Sequence, residues 1–269
     1  MPFTLSHPAA VLPLRRFCPV RLDFAALVIG SLMPDLGYYI PGFSTHLETH
    51  SLSGSVILCL PAGLLLLALF QLLKQSLCFV LPQPHRGALT PLAVRRWRRP
   101  GSIKLGMDLG IAAASVLLGS WTHIAWDDFT HGHRWGTRHI ALLGTPVFSI
   151  CGHTFLLYAC LQYLSSLIGG LILIRAYCSW LDRQGLVSTA PTNAGDERWR
   201  YLLLVGLGAA AMAFSLPFAQ AGSVAFSGWI ACQAFLFQLW VHFASLFTCL
   251  LALTSAALFK LGGGEPRLS

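Results

Sequence analysis

Charge is what this chain has least of: Asp, Glu, Lys and Arg make up 10% of its 269 residues, against 55% that are hydrophobic. A soluble domain carries about 25% charged residues, so an ordinary soluble fold is excluded. Carboxylates are scarcest, 10 against 18 basic residues, and the position of each is therefore informative. The eight cysteines, at 18, 59, 78, 151, 160, 178, 232 and 249, have no close paired spacing. This excludes a disulfide framework or a four-thiolate metal site, and most of the cysteines read as small buried side chains. Gly262 to Gly264 lacks the lysine and following helix of a phosphate loop, and neither Ser51 nor Ser149 sits in a nucleophile elbow. A cleaved signal peptide is not expected either. Arg15, Arg16 and Arg21 follow a proline-punctuated stretch, and the apolar run Leu22 to Met33 ends in Pro34-Asp35 without a small-residue cleavage pattern.

What the chain does have is long apolar runs. A helix crosses the hydrocarbon with about 20 residues, and five segments qualify: 52–73, 105–125, 147–174, 201–217 and 227–259. Gln75 to Leu81 extends the first of them. The basic connectors carry Arg86, Arg95, Arg96, Arg98, Arg99 and Lys104, then Arg175, Arg183, Arg198 and Arg200. The bias of short loops places both on the cytoplasmic side, beside anionic lipids. Little aromatic interleaving argues against nucleic acid as a partner. The expected fold is all-α, a single polytopic bundle with five or six crossings, multi-pass in a cell membrane, with an inner loop at 178–198. Residues 1–50 admit two readings. Leu22 to Ile40 reaches spanning length only if Asp35 is buried; the preferred alternative is an N-terminal helix lying on, or re-entering, the outer face.

Ionisable residues are costly in hydrocarbon and mark functional sites. His123 and Asp127 are four apart, so a continuous helix would project both from one face, about 5–6 Å apart at Cβ. The plain alternative is an interfacial pair beside Trp121 and Trp126. His46 and His50 repeat the offset, with Ser51 placed to cap the next helix. Asp35 ends the first apolar run, and His7 lies in an apolar N-terminal segment. His7, Asp35, His50, His123 and Asp127 together offer the nitrogen and carboxylate donors of a divalent metal site, zinc foremost, with one or two ions. Asp128, His131 and His133 are candidate acid-base groups, and Arg134 and Arg138 candidate phosphate holders. His139 shares their loop, and His153 lies near the outer end of the third run. Asp108 lies at the inner end of the second run. Gln162, Ser165 and Ser166 read as helix packing.

The opening Met1-Pro2-Phe3-Thr4-Leu5-Ser6-His7-Pro8-Ala9-Ala10-Val11-Leu12-Pro13-Leu14 closely resembles an uncharacterised bacterial membrane-protein family. Gly30-Ser31-Leu32-Met33-Pro34-Asp35, His50-Ser51 and His123-Ile124-Ala125-Trp126-Asp127 fit the same resemblance. The chain is also distantly similar to membrane-bound proteins described as metal-dependent hydrolases, and in motif order to zinc-dependent phospholipases C. The ordered histidine, aspartate, histidine, then histidine-three residues-aspartate pattern falls on His7, Asp35, His50, His123 and Asp127. A later histidine-three residues-glutamate pair is missing. The resemblance implies a bacterial cell-membrane protein that hydrolyses the phosphoester of a phospholipid or lipid-linked substrate. The alternative is a transport, assembly or scaffold protein with a polar or metal-stabilised core.

Overall fold

The computed structural model describes residues 4–18, 21–40, 46–94, 102–150, 152–185 and 194–262. Helices dominate. A 3-10 helix, Thr4–Val11, leads into α1, Leu12–Phe17; then come α2, Phe24–Gly30, and a second 3-10 helix, Met33–Tyr39. Two short helices, α3 (His46–Thr49) and α4 (Leu52–Gly54), precede a π turn at Ser55–Cys59. The longer helices are α5 (Leu60–Val80), α6 (His85–Val94) and α7 (Ser102–Thr130). After α8 (Trp135–His139) and a 3-10 turn, Ala141–Gly144, strands β1 (Pro146–Ile150) and β2 (His153–Leu156) form an antiparallel hairpin. Helices α9 (Leu157–Asp182), α10 (Ala194–Ser223) and α11 (Gly228–Leu261) complete the chain.

Five helical segments among the described residues are long and apolar enough to cross a membrane: Leu52–Val80, Gly106–His139, Leu157–Asp182, Glu197–Ser223 and Gly228–Leu261. They correspond to the five expected crossings, with corrected bounds. The third begins at Leu157, not at 147, because Phe148, Ser149 and Ile150 pair with Phe155, Thr154 and His153 in a hairpin that includes Gly152, whose φ of 76° a side chain would resist. The inner loop is shorter than 178–198, since α9 runs to Asp182 and α10 starts at Ala194. A sixth crossing over Leu22 to Ile40 does not form. Helix α2 spans seven residues, about 10 Å, and stops before a 3-10 segment whose Pro34 supplies no amide hydrogen. The cysteine expectation is also corrected: of the described cysteines only Cys59 is buried, while Cys178, Cys232 and Cys249 are exposed along α9 and α11. Arg95, Arg96, Arg98, Arg99, Cys151, Gly263 and Gly264 lie outside the described residues.

The chain divides into two compact units, residues 1–68 with 99–176, and residues 69–98 with 177–269. In the second unit α10 and α11 pack as a helical hairpin. The Glu197 carboxylate there accepts from the Gln83 amide at 2.8 Å and pairs with Arg86 at 2.6 Å.

The first unit contains the site. Its α2 lies against the middle of α7, as a re-entrant helix would. Gly30 and Gly119 let the two backbones meet; a Cβ on Gly30 would strike the Val116 carbonyl, and one on Gly119 the Leu27 carbonyl. The seam is polar as well as tight. Ser120 Oγ donates to the Gly30 carbonyl at 3.0 Å, and the Asp23 amide donates to Ser115 Oγ at 2.9 Å. Ala26, Ala112 and Val116 fill one patch, Ile29, Met33 and Cys59 another. Across the π turn, Pro61 cannot donate to the preceding turn and its ring would crowd the Ile57 carbonyl. The widened turn at Ser55–Cys59 accommodates this. Gly169 of α9 packs against Ser6, bringing the N-terminal segment under α9.

Gly119→Ala is therefore expected to cost about 1–3 kcal/mol or more through overpacking and to lower the yield of monodisperse protein in size-exclusion chromatography. Gly110→Ala, on the same helix with nothing within 4 Å of its new Cβ, is the control and leaves the yield unchanged. Equal yields from both variants would refute the close α2–α7 seam.

Candidate metal centre

His123 and Asp127 sit one turn apart on α7 and project from the same face. Asp35 comes from the 3-10 segment Met33–Tyr39, and His50 from the turn before α4, whose start Ser51 caps by accepting from the Gly54 amide at 2.9 Å. All four side chains are buried, and one ligand atom from each lies within 4.8 Å of the others. His50 Nε2 is 3.4 Å from Asp35 Oδ1 and 3.3 Å from Asp127 Oδ2. His123 Nε2 is 3.6 Å from Asp35 Oδ1 and 3.3 Å from Asp127 Oδ2. A tetrahedral zinc with bonds of about 2.0–2.1 Å needs ligand atoms about 3.3–3.4 Å apart. Four of the six separations in the cluster are 3.3–3.6 Å, and its donors suit one divalent ion.

The outer sides of the ligands are held in the sense that coordination requires. His123 Nδ1 donates to the Ser31 carbonyl at 2.7 Å, which turns its Nε2 to the centre. The Thr49 hydroxyl donates to the Pro34 carbonyl at 2.7 Å, so its oxygen accepts from His50 Nδ1 at 3.4 Å. Thr4 Oγ1 donates to Asp35 Oδ2 at 2.7 Å, leaving Oδ1 inward. Such partners set tautomer and orientation in metal sites. Three buried atoms in the centre, His7 Nε2, His123 Nε2 and Asp127 Oδ1, make no hydrogen bond. An unpaired buried polar atom costs about 1–3 kcal/mol, which a cation among them would remove.

Electrostatics follow from burial and crowding. Burial lowers the pKa of His7 to about 3, with His123 adding to the effect, so its ring is neutral. Burial alone would raise Asp35, but His123 and the close approach of His50 hold it well below the usual carboxylate range. His50 is likewise opposed by burial, yet Asp127 and Asp35 raise its pKa. Tyr38 is pushed up to about 12 by burial and by the charges of Asp35 and Asp127, so its phenol keeps its proton.

Residues 1–256 match the family described as a domain of unknown function, DUF4184. The chain belongs to that family. No curated protein and no solved structure matches it.

Of the residues singled out from the sequence, the structure brings six together: Asp35, His50, His123 and Asp127, with His7 and His131 beside them. His7 stacks on His123, ring centroids 3.7 Å apart and planes at 18°. His131 Nδ1 is 3.4 Å from Asp127 Oδ1. Asp128 is rotated about 100° around the helix from Asp127 and is half-buried. His133 is exposed on the turn after α7, with φ 65°. Neither occupies the cluster. His139 turns back on its own helix, its Nδ1 donating to the Trp135 carbonyl at 2.8 Å, and Arg138 is exposed. His153 packs edge-on against Phe155 in the hairpin, and α3 begins at His46. Ser165 accepts from Trp126 Nε1 at 3.1 Å, as helix packing predicts, but Gln162 meets His131 Nε2 at 2.7 Å and so serves the site. The sequence reading missed Thr4, Thr49, Tyr38 and the Ser31 carbonyl. Thr4 and Thr49 each stand within three residues of a ligand, a weak signal; the carbonyl has none.

Zinc quantification on detergent-purified protein is expected to show bound metal in the wild type. Asp35→Asn, His50→Ala, His123→Ala and Asp127→Asn should reduce it without loss of helical circular dichroism. Thr4→Val, which frees Asp35 Oδ2, is expected to weaken zinc affinity by about 10–100-fold. Undiminished metal in all four ligand variants would remove these assignments.

Proposed function

We propose that this protein is a metal-dependent hydrolase that cleaves a phosphoester bond of a phospholipid or lipid-linked phosphate at the outer membrane face. The observation that carries the reading is the buried Asp35, His50, His123 and Asp127 cluster, whose ligand atoms all lie within 4.8 Å of one another. Zinc bound there, on taking water or substrate as a fifth ligand, would polarise a phosphoryl oxygen and acidify water. The order of these residues, with His7 ahead of them, is also similar to that in zinc-dependent phospholipases C.

The chain's own groups supply the rest. Asp35 and Asp127 provide the negative charge that retains the cation, and Ser31, Thr49 and Thr4 keep the ligands aimed. Tyr38 is a protonated donor within the field of both carboxylates and of Arg134. Arg134 is suited to hold the phosphate through its planar donors. The net reaction adds water across one P–O bond, hydroxyl to phosphorus and proton to the leaving oxygen.

The substrate class is supported by an apolar cavity of about 220 Å³ beside the centre. Met33, Leu36, Ile40, Ile57, Pro61 and Ala62 line it. Leu36 adjoins Asp35 in sequence, and Thr49, also on the lining, adjoins His50. Ile40 and Ile57 are exposed at its rim. An acyl chain lying there would run beside the segments that carry Asp35 and His50.

A transport or scaffold role has less to support it. Asp108, a candidate continuation inward, is about 22 Å from His123 along α7, and Gln162 closes on His131 instead of extending the polar groups.

The zinc-loaded protein is expected to release phosphorylated headgroup from at least one member of a panel of phospholipids and lipid-linked phosphates, and Asp127→Asn to abolish that release. Ala62→Trp, which fills the cavity, should raise KM for long-chain substrates while short-chain analogues keep theirs. Full zinc loading without turnover across the panel would overturn the reading.

A further inference from the structure

One tetrahedral ion leaves the centre incomplete. It uses Asp35 Oδ1, Asp127 Oδ2, His50 Nε2 and His123 Nε2, and so satisfies only one of the three unbonded buried atoms. His7 Nε2 and Asp127 Oδ1 remain, and they face each other at 3.7 Å. His131 Nδ1 approaches the same oxygen at 3.4 Å. Both separations are short enough for each pair of atoms to share a cation with bonds of about 2.0–2.1 Å.

We infer that the protein holds two divalent cations, the second bound by His7 Nε2, His131 Nδ1 and Asp127 Oδ1, with the Asp127 carboxylate bridging the pair. Each oxygen of Asp127 meets two imidazole nitrogens: Oδ2 those of His50 and His123, Oδ1 those of His7 and His131. The stacking of His7 on His123 sets the spacing. Their near-parallel rings are 3.7 Å apart, and each directs its Nε2 to a different oxygen of the one carboxylate. Two-metal hydrolytic sites hold their ions about 3.5–4 Å apart, which this stack matches.

The two subsites differ in how closed they are. The first has four protein ligands, all buried. The second has three, and the side chain of one of them, His131, is 25% exposed. Three protein ligands and one open position is the pattern of a catalytic zinc, four that of a structural one. The second ion therefore offers substrate a position that needs no expansion beyond four ligands. Gln162 completes the arrangement. Gln162 Nε2 is the atom at His131 Nε2; with its amide turned over, Oε1 would accept from Nε2 and leave the Nδ1 lone pair toward Asp127, with Thr130 Oγ1 3.4 Å from that nitrogen. His131 is thus a ligand and not a free acid.

This inference rests on the metal-centre reading but is tested apart from hydrolysis. The full-length protein, stripped by chelation and dialysed in detergent against excess zinc or manganese, is analysed for metal per chain and by electron paramagnetic resonance. Two ions per chain and an exchange-coupled manganese signal are expected. His7→Ala and His131→Ala should each bind one ion and lose the coupling; His131, at the half-exposed end of α7, is the variant less exposed to folding loss. One ion per wild-type chain, two uncoupled ions, or two retained ions in both variants would each overturn the bridged pair. A single ion with phospholipid turnover would overturn this inference and leave the proposed function standing. A coupled pair with no turnover would do the reverse.

Discussion

Burying Asp35 and Asp127 in an apolar chain costs several kcal/mol for each charge unless opposite charge and hydrogen bonds compensate it. That cost organises the first unit. The two carboxylates stand among His7, His50, His123 and His131, and Thr4 donates a short hydrogen bond to Asp35. Where a hydrogen-bonded network would satisfy its own members, this one leaves three buried atoms unpaired. The geometry that minimises this penalty is that of ligands around cations, and the rest of the unit holds it in place.

The support comes from elements of unequal regularity. Helix α7 is long and rigid and carries His123, Asp127 and, at its end, His131. Everything opposite it is short: 3-10 segments, one-turn helices and a π turn between Thr4 and Cys59. Irregular backbone of this kind is tolerated at membrane depth only when it is buried in protein, and the glycine contacts of Gly30 and Gly119 provide that burial. Backbone groups freed by the irregularity then serve the site, since the carbonyls of Ser31 and Pro34 receive His123 and Thr49.

Chemistry and solvent meet at this junction. A closed set of donors lies under a half-exposed histidine, and an apolar cavity approaches from the side of Leu36 and Thr49. The proposed substrate class, a lipid phosphate, has a charged group for the first and a chain for the second. The second unit, with its Arg86–Glu197 pair and the α10–α11 hairpin, contributes none of the residues in the centre.

Much of this was legible in the residues. Scarce charge and five long apolar runs determined a helical chain able to cross a membrane five times, because hydrocarbon tolerates little else. The four-residue offset of His123 and Asp127 determined their shared face, because helical periodicity is local. Other features were not legible, because they depend on contacts between distant segments. Val147 to Ile150 are as apolar as a span, and only pairing with His153 to Leu156 made them a strand. Asp128 and His133 looked as eligible as their neighbours until the direction of α7 turned one aside and a left-handed turn exposed the other. Composition and local spacing decide which elements form and which residues are costly to bury. Only the tertiary structure decided which nitrogen meets which oxygen, because those separations are set by the packing of segments 30 to 90 residues apart.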